Sequence, residues 1–378
     1  MSIRKHQRPN ERAALKAEFM RHASVILLAP RRVGKSWLMK RLGEDMAAEG
    51  WLCISVDLEG KAREEDFLRE LCSKLEETRG LRDRALAHMT GRFRRILSGA
   101  TDGNLADAIG KVDHREFLDA LVKLLDAEER PTLILIDELA LFVQALLRDN
   151  PEQAHSLLYH LRKLRQEYRN VRWFLTGSIG LDSVSRRHGL EGALLGLETW
   201  ALEPFTPDEA RSFIDEVFER VPALTRFQFN EGAFEHLVDE VGWLSPYHIE
   251  QVLQLVRPEG EPPSADVVRI EAALDSLLKP HRRLHFSTWE DHVRKNFESK
   301  QSQLMWHILD ILCENSSGEG EMAILTRLNG GDVQSATRRA IKDALIALEV
   351  DAYLVRVSDR WMFRSGLLRR YWMEYCQK

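Results

Sequence analysis

The stretch from residue 24 to residue 50 constrains this chain most. SVILLA (24–29) is a continuous apolar run of strand length, as suits a strand buried on both faces. A short loop follows, and SWLMKRLGEDMAAEG (36–50) then places apolar residues at helical spacing before a closing Gly. A strand feeding a helix through a short loop is half of a parallel crossover unit, and the pattern recurs. Strands are expected at WLCISVD (51–57), TLILID (132–137), VRWFLTG (171–177) and near 197–202. Helices are expected at 11–22, 64–79, 81–98, 114–129 and 151–169, the last opened by Pro151, while 98–110 reads as loop. The alternation predicts an α/β fold with a doubly wound parallel sheet over residues 1–204.

After Pro204 the pattern changes. TPDEARSFIDEVFERV (206–221) begins with a Thr206/Glu209 capping box, and further helices are expected to about residue 300, with RPEGEPPS (257–264) as a loop among them. Residues 301–378 read as helices at 302–315, 321–328 and 333–348, then two short strands around VRVSDRWMF, the order of a winged helix-turn-helix. The expected division is therefore 1–204, 205–300 and 301–378, in keeping with 378 residues at about 150 per domain.

Composition excludes several classes. With 44% hydrophobic and 30% charged residues, the chain has the make-up of a globular protein, not a disordered one. Lys+Arg is 54 against Asp+Glu 59, a net of −5, so any nucleic-acid contact must come from a local patch. Cys53, Cys72, Cys313 and Cys376 form no C-x-x-C pair, which suits a reducing compartment and argues against a zinc ribbon. The opening MSIRKHQRPNER is basic with no apolar segment behind it, and no run approaches the ~20 residues of a membrane span. A cytoplasmic protein without membrane contact is expected.

The loop between the first strand and its helix is Ala29-Pro30-Arg31-Arg32-Val33-Gly34-Lys35-Ser36, followed by Trp37. It is G-x-x-x-x-G-K-[ST] with Ala in the first Gly position. Such a loop curls backbone N–H groups round phosphate oxygens at a helix N-terminus. Gly34 permits close approach, Lys35 reaches the β and γ phosphates, and the Ser36 hydroxyl ligates Mg²⁺. Lysine is scarce here, 14 against 40 arginines, so Lys35 in this position is informative. The strand 132–137 ends in Asp137, placed to hold Mg²⁺, and Glu138 follows as the candidate general base. Strand 171–177 ends Thr176-Gly177-Ser178, where Thr176 or Ser178 could sense the γ-phosphate and orient water. Arg169 and Arg186 lead the candidates for a transition-state cation, with Arg165 and Arg187 nearby. Asp57 and Glu59 read as caps after the second strand.

Together, Ala29–Ser36, Leu133–Glu138, Phe174–Ser178, a helical lid and a terminal winged helix resemble the archaeal-type ATPases, members of the STAND branch of AAA+-like P-loop NTPases. That resemblance implies strand order 5-1-4-3-2, Mg-ATP as ligand, and slow, regulated hydrolysis that changes shape or assembly. It also implies Lys35, Ser36, Asp137, Glu138 and a polar residue of the fourth strand as the working set. The chain departs from the family at Ala29, and at Gly242-Trp-Leu-Ser-Pro246, where Gly and Pro stand further apart than in the family's Gly-x-Pro. Here Pro246 reads as a helix opener.

Helix 333–348 carries Arg338, Arg339 and Lys342 with Ser335 and Thr337, as a recognition helix could. Residues 301–378 hold ten Lys/Arg against ten Asp/Glu, however, whereas DNA readers concentrate cations. Two classes stay open: an ATPase switch signalling to a protein partner or to its own copies, and an ATPase acting on DNA as a loader or replication or transposition regulator.

Overall fold

The computed structural model describes residues 4–30, 32–77, 113–177, 184–186, 188–296, 299–330 and 338–377. The expected helix at 81–98 and loop at 98–110 lie outside them. The chain divides into two compact units, one of residues 7–202 and one of 203–378 joined by the first six residues.

In the 7–202 unit the order is α1 (Pro9–Met20), β1 (Ser24–Leu28), α2 (Lys35–Ala48), β2 (Leu52–Asp57), α3 (Glu64–Glu76), α4 (His114–Asp126), β3 (Thr132–Asp137), α5 (Leu139–Asp149), α6 (Pro151–Glu167), β4 (Val171–Gly177), the short α7 (Glu191–Leu194) and β5 (Leu197–Ala201). The five strands form one sheet in the order β2-β3-β4-β1-β5, and every pairing is parallel. This is the expected 5-1-4-3-2 order. Every residue of β3 and β4 is buried, as the unbroken apolar runs required, whereas β2 alternates in and out as an edge strand does.

The helices begin where local chemistry supplies partners for unpaired N–H groups. The Asp113 carboxylate accepts from the Arg115 and Glu116 amides, opening α4. Asn150 Oδ1 accepts from the Gln153 amide and Pro151 takes the first helical position, opening α6. Sequence reading missed α5. In its run LALFVQALLRD the buried residues Leu139, Ala140, Phe142, Val143, Leu146 and Leu147 follow helical spacing and Arg148 and Asp149 are exposed, but further apolar residues at Leu141 and Ala145 blur that stripe in the sequence.

The second unit holds α8 (Pro207–Arg220), β6 (Gln228–Phe229), α9 (Ala233–Val241), α10 (Pro246–Leu253), β7 (Ser264–Ala265), α11 (Val267–Leu277), α12 (Ser287–Asn296), α13 (Ser299–Cys313), β8 (Glu319–Gly320), α14 (Glu321–Gly330), α15 (Arg338–Val350), β9 (Leu354–Val357), β10 (Arg360–Phe363) and α16 (Gly366–Tyr375). The Thr206/Glu209 capping box closes in both directions at the start of α8. Strands β8, β10 and β9 make an antiparallel sheet in that order. The strand β8 and the helix α16 were not foreseen.

A lid (205–300) and a terminal domain (301–378) were expected; one apolar cluster runs from Phe205 to Cys376. The Tyr353 hydroxyl donates to the Trp289 carbonyl at 2.7 Å, and the two rings meet edge to face at 4.9 Å. Gly242 has φ 62°, and a Cβ there would lie 2.5 Å from the Arg364 carbonyl oxygen. Beside it, the Ser365 hydroxyl donates to the Val241 carbonyl at 2.6 Å. These contacts, far apart in sequence, pack the two expected modules into one unit.

Candidate nucleotide-binding site

Parallel pairing brings the carboxyl ends of the strands to one edge of the sheet, where open α/β sheets place ligands. Leu28 lies opposite Gly177 and Ala201, and Asp57 lies opposite Asp137. The loop after β1, the Asp137-Glu138 pair and Thr176 therefore share that edge.

The loop has the backbone its motif requires. Gly34 takes φ 98°, ψ 24° as the N-cap of α2, a left-handed conformation that Gly adopts without strain. Arg32 is left-handed as well, at φ 70°. Ala29 is buried and outside the positive-φ set, so its methyl group introduces no backbone strain. Lys35 is only 6% exposed, and its ammonium donates to the carbonyls of Ala29 and Pro30, each at 2.9 Å. A buried cation needs such partners, and these bonds draw the two ends of the loop together. Val33 is buried, Ser36 exposed and Trp37 half-buried with the Arg41 guanidinium 5.6 Å from its ring centre. Arg31 lies outside the described residues.

Asp137 is 6% exposed and Thr176 is fully buried. Asp137 Oδ1 accepts twice, from the Glu138 amide at 2.9 Å and from the Thr176 hydroxyl. A hydroxyl has one proton to give. Thr176 gives it to Asp137, so in this structure it orients that carboxylate and has no proton left for a phosphate. Oδ2 is the Asp137 oxygen outside both bonds. Glu138 adopts φ 55°, ψ 32° as the N-cap of α5, a left-handed state that costs a residue with a Cβ roughly 1–3 kcal/mol. Neither feature had a sequence signal beyond position at a strand end. Ser178 and Arg187 lie outside the described residues.

The arginine candidates separate by position. Arg169 precedes β4, at the sheet edge where the Thr132 amide donates to the Asn170 carbonyl. Seven strand residues separate it from the edge with the loop, a span of ~20 Å at the usual rise. Within one chain Arg169 therefore does not flank the site as expected, because adjacency to a strand does not specify which end. Arg165 is fastened to the Ala193 carbonyl at 2.7 Å, and burial lowers its pKa to about 10. Arg186 is largely exposed, 3.8 Å from Glu191. Asp57 Oδ1 accepts from the Glu59 amide at 2.9 Å, the capping role expected of it.

Among the described residues no group of three or more His, Cys, Asp or Glu could hold a metal. The donor set fits Mg²⁺, which is commonly held by one or two protein oxygens together with substrate phosphates. Ser36 and Asp137 are such oxygens. No helix among the described residues is long and apolar enough to cross a membrane. Pro246 opens α10, with Ser245 as its cap.

Residues 2–176 match the model of the AAA domain family. Among solved structures, the chain is similar to the Walker-type ATPase of Pyrococcus abyssi at 17% identity, covering 96% of this chain and 95% of that one, with a TM-score of 0.67. It is also similar to the Aeropyrum pernix ORC2 protein, solved as ADPNP–ADP complexes, at 15% identity, 97% and 92% coverage and a TM-score of 0.58. A search among curated proteins finds no match. The parallel five-stranded sheet, its strand order and these likenesses make the fold that of the P-loop NTPases.

Proposed function

We propose that this chain binds Mg-ATP at loop 29–36 and hydrolyses it slowly as a regulatory switch acting on a protein partner or on its own copies. The observation that carries the reading is the convergence at one sheet edge of Lys35, held by its own loop, with the Asp137 carboxylate oriented by Thr176. On this reading Lys35 exchanges its two carbonyl partners for phosphate oxygens, and amides of residues 32–36 and the α2 N-terminus supply the remaining donors. The Ser36 hydroxyl and the Asp137 carboxylate would hold the metal ion, and Trp37 lines the same end of α2. Bound Mg²⁺ supplies neutralisation of charge on the β and γ oxygens. Glu138 takes the proton from the attacking water. Thr176 acts as a positioning residue, through Asp137, and Ser178 is the remaining polar candidate for the γ-phosphate. Beyond the loop's own Arg31, Arg32 and Lys35, Arg186, or Arg169 of a second copy, is the cation that completes the site.

A DNA-directed ATPase is the second reading. The helix, strand, helix, helix, strand, strand order of 299–363 supports a winged helix, and Arg339 and Lys342 are exposed on α15. The same exposed face carries Asp343, Ile346 at 43% exposure and Val350 at 42%, and Arg338 is paired with Glu321 at 3.1 Å. Exposed aliphatic residues suit a protein surface better than a phosphate backbone, which favours the first reading. Titration of duplex DNA with and without ATP tests the choice. Binding that strengthens with ATP and weakens in Arg339→Ala/Lys342→Ala would replace the protein-partner reading.

A further inference from the structure

The chain passes between its two units twice, at Leu202–Glu203 and again at His6–Gln7. Residues 4–6 lie along one stripe of α8. The Lys5 ammonium donates to Asp208 at 2.7 Å, His6 meets the Ser212 hydroxyl at 2.9 Å and Glu216 at 2.5 Å, and Arg4 reaches both carboxylate oxygens of Glu219 at 3.1 and 2.8 Å. Asp208, Ser212, Glu216 and Glu219 follow the spacing of a single helical face. Exposed ion pairs alone contribute little, but His6 is 3% exposed and packs edge-on against Phe213, giving the attachment a buried centre.

Beyond Gln7 the same segment grips the phosphate-loop helix. Arg12 makes a forked contact with the Asp45 carboxylate of α2, its Nε at 2.8 Å, and Lys16 pairs with Glu49, the residue that caps the end of α2. Phe19 of α1 is fully buried and meets Phe174 of β4 edge to face at 5.7 Å. Arg8 is left-handed at φ 54° and buried, and it pairs with Glu11 at 3.1 Å.

We propose that residues 4–20 form a coupling arm that transmits displacement of α2, the helix whose first turn carries Lys35 and Ser36, to α8 of the 203–378 unit. The arm works in parallel with the covalent link at 202–203. It rests on the reading of loop 29–36 as a nucleotide site and adds how that site is connected to the second unit.

The test uses the full chain and the variant Arg4→Ser/Lys5→Ser/His6→Ser, which releases α8 and leaves the loop, Asp137, Glu138 and Thr176 intact. Hydrogen exchange of the 207–220 amides is measured with and without Mg²⁺ and the non-hydrolysable analogue AMP-PNP, with calorimetry of analogue binding alongside. In the parent, the analogue is expected to change exchange across 207–220 by about fivefold or more, the lower end of ordinary coupling between sites. The variant should still bind the analogue and lose that change. A variant that keeps the full change overturns the arm, as does a parent that binds the analogue with no effect at 207–220. A parent that binds no analogue overturns the nucleotide reading instead. The arm is then decided by denaturant titration followed by exchange: the two units should lose protection together in the parent and separately in the variant, and joint loss in both would overturn it.

Discussion

At the residue scale, the proposed reading gives Asp137, the last residue of β3, and Glu138 after it separable duties. Glu138→Gln keeps the shape of the side chain and removes the basic oxygen. ATP binding should persist while hydrolysis falls ~10²–10⁴-fold, the usual contribution of a general base. Single-turnover hydrolysis at the parental rate would remove Glu138 from that role. Thr176 gives its proton to Asp137, so Thr176→Val should act through the metal. Loss of a hydrogen bond to a charged group is worth ~1.5–3 kcal/mol, which raises the Mg²⁺ needed for half-maximal activity by about tenfold or more. Thr176→Ser should restore the parental Mg²⁺ curve. A Val variant with lowered turnover and an unchanged Mg²⁺ curve would point to direct contact with the phosphate. The placement of Lys35, Ser36, Asp137 and Glu138 at strand and helix ends was legible because the motif ties residue type to position at a strand end. The direction of the Thr176 proton was not, since it depends on a partner 39 residues away.

At the element scale, legibility followed burial. TLILID and VRWFLTG were readable because strands buried on both faces carry unbroken apolar runs. Helix α5 buries one stripe at helical spacing, but the extra apolar residues Leu141 and Ala145 blurred it in the sequence, and position in the sequence did not reveal that Arg169 sits at the far end of β4. The packing of helices also sets the pH response. His160 of α6 lies 3.6 Å from Asp119 of α4. Burial nevertheless lowers its pKa below the ordinary 6.5, helped by Arg115 and Lys163 and opposed by Asp119 and Glu64. The folded state then holds this proton less tightly than the unfolded chain. The stability due to neutral His160 is complete above about pH 6.5 and is lost as pH falls below it. Chemical denaturation between pH 7.5 and 5 should show this loss, and His160→Gln should flatten it; an equally steep profile in the variant would assign the loss to other groups. In the second unit, Gly242→Ala forces a Cβ against the Arg364 carbonyl at positive φ. A cost of roughly 2 kcal/mol or more is expected, read as a lower unfolding midpoint for 203–378.

At the scale of the whole molecule, the proposed reading uses loop 29–36 as the phosphate cradle, Ser36 and Asp137 as the metal-holding pair and Glu138 as the base, and takes a transition-state arginine from elsewhere. If a second copy lends an arginine, specific activity should rise with protein concentration as copies associate, with effects up to ~10³–10⁵-fold. Constant specific activity over a hundredfold dilution, with a monomeric sedimentation profile in ATP, would rule out a contribution from a second copy and leave Arg186. One apolar cluster runs through 205–376, and shape changes are expected at the connections between the two units. The sequence could not show this, because the core is closed by pairs such as Tyr353 with Trp289 that only the folded chain brings together. The central claim is that loop 29–36 binds nucleotide phosphates, and calorimetric titration of Mg-ATP into the parent and Lys35→Ala tests it most directly. One site per chain is expected in the parent and binding abolished or severely weakened in the variant; equal affinity in the two would refute the phosphate-loop assignment.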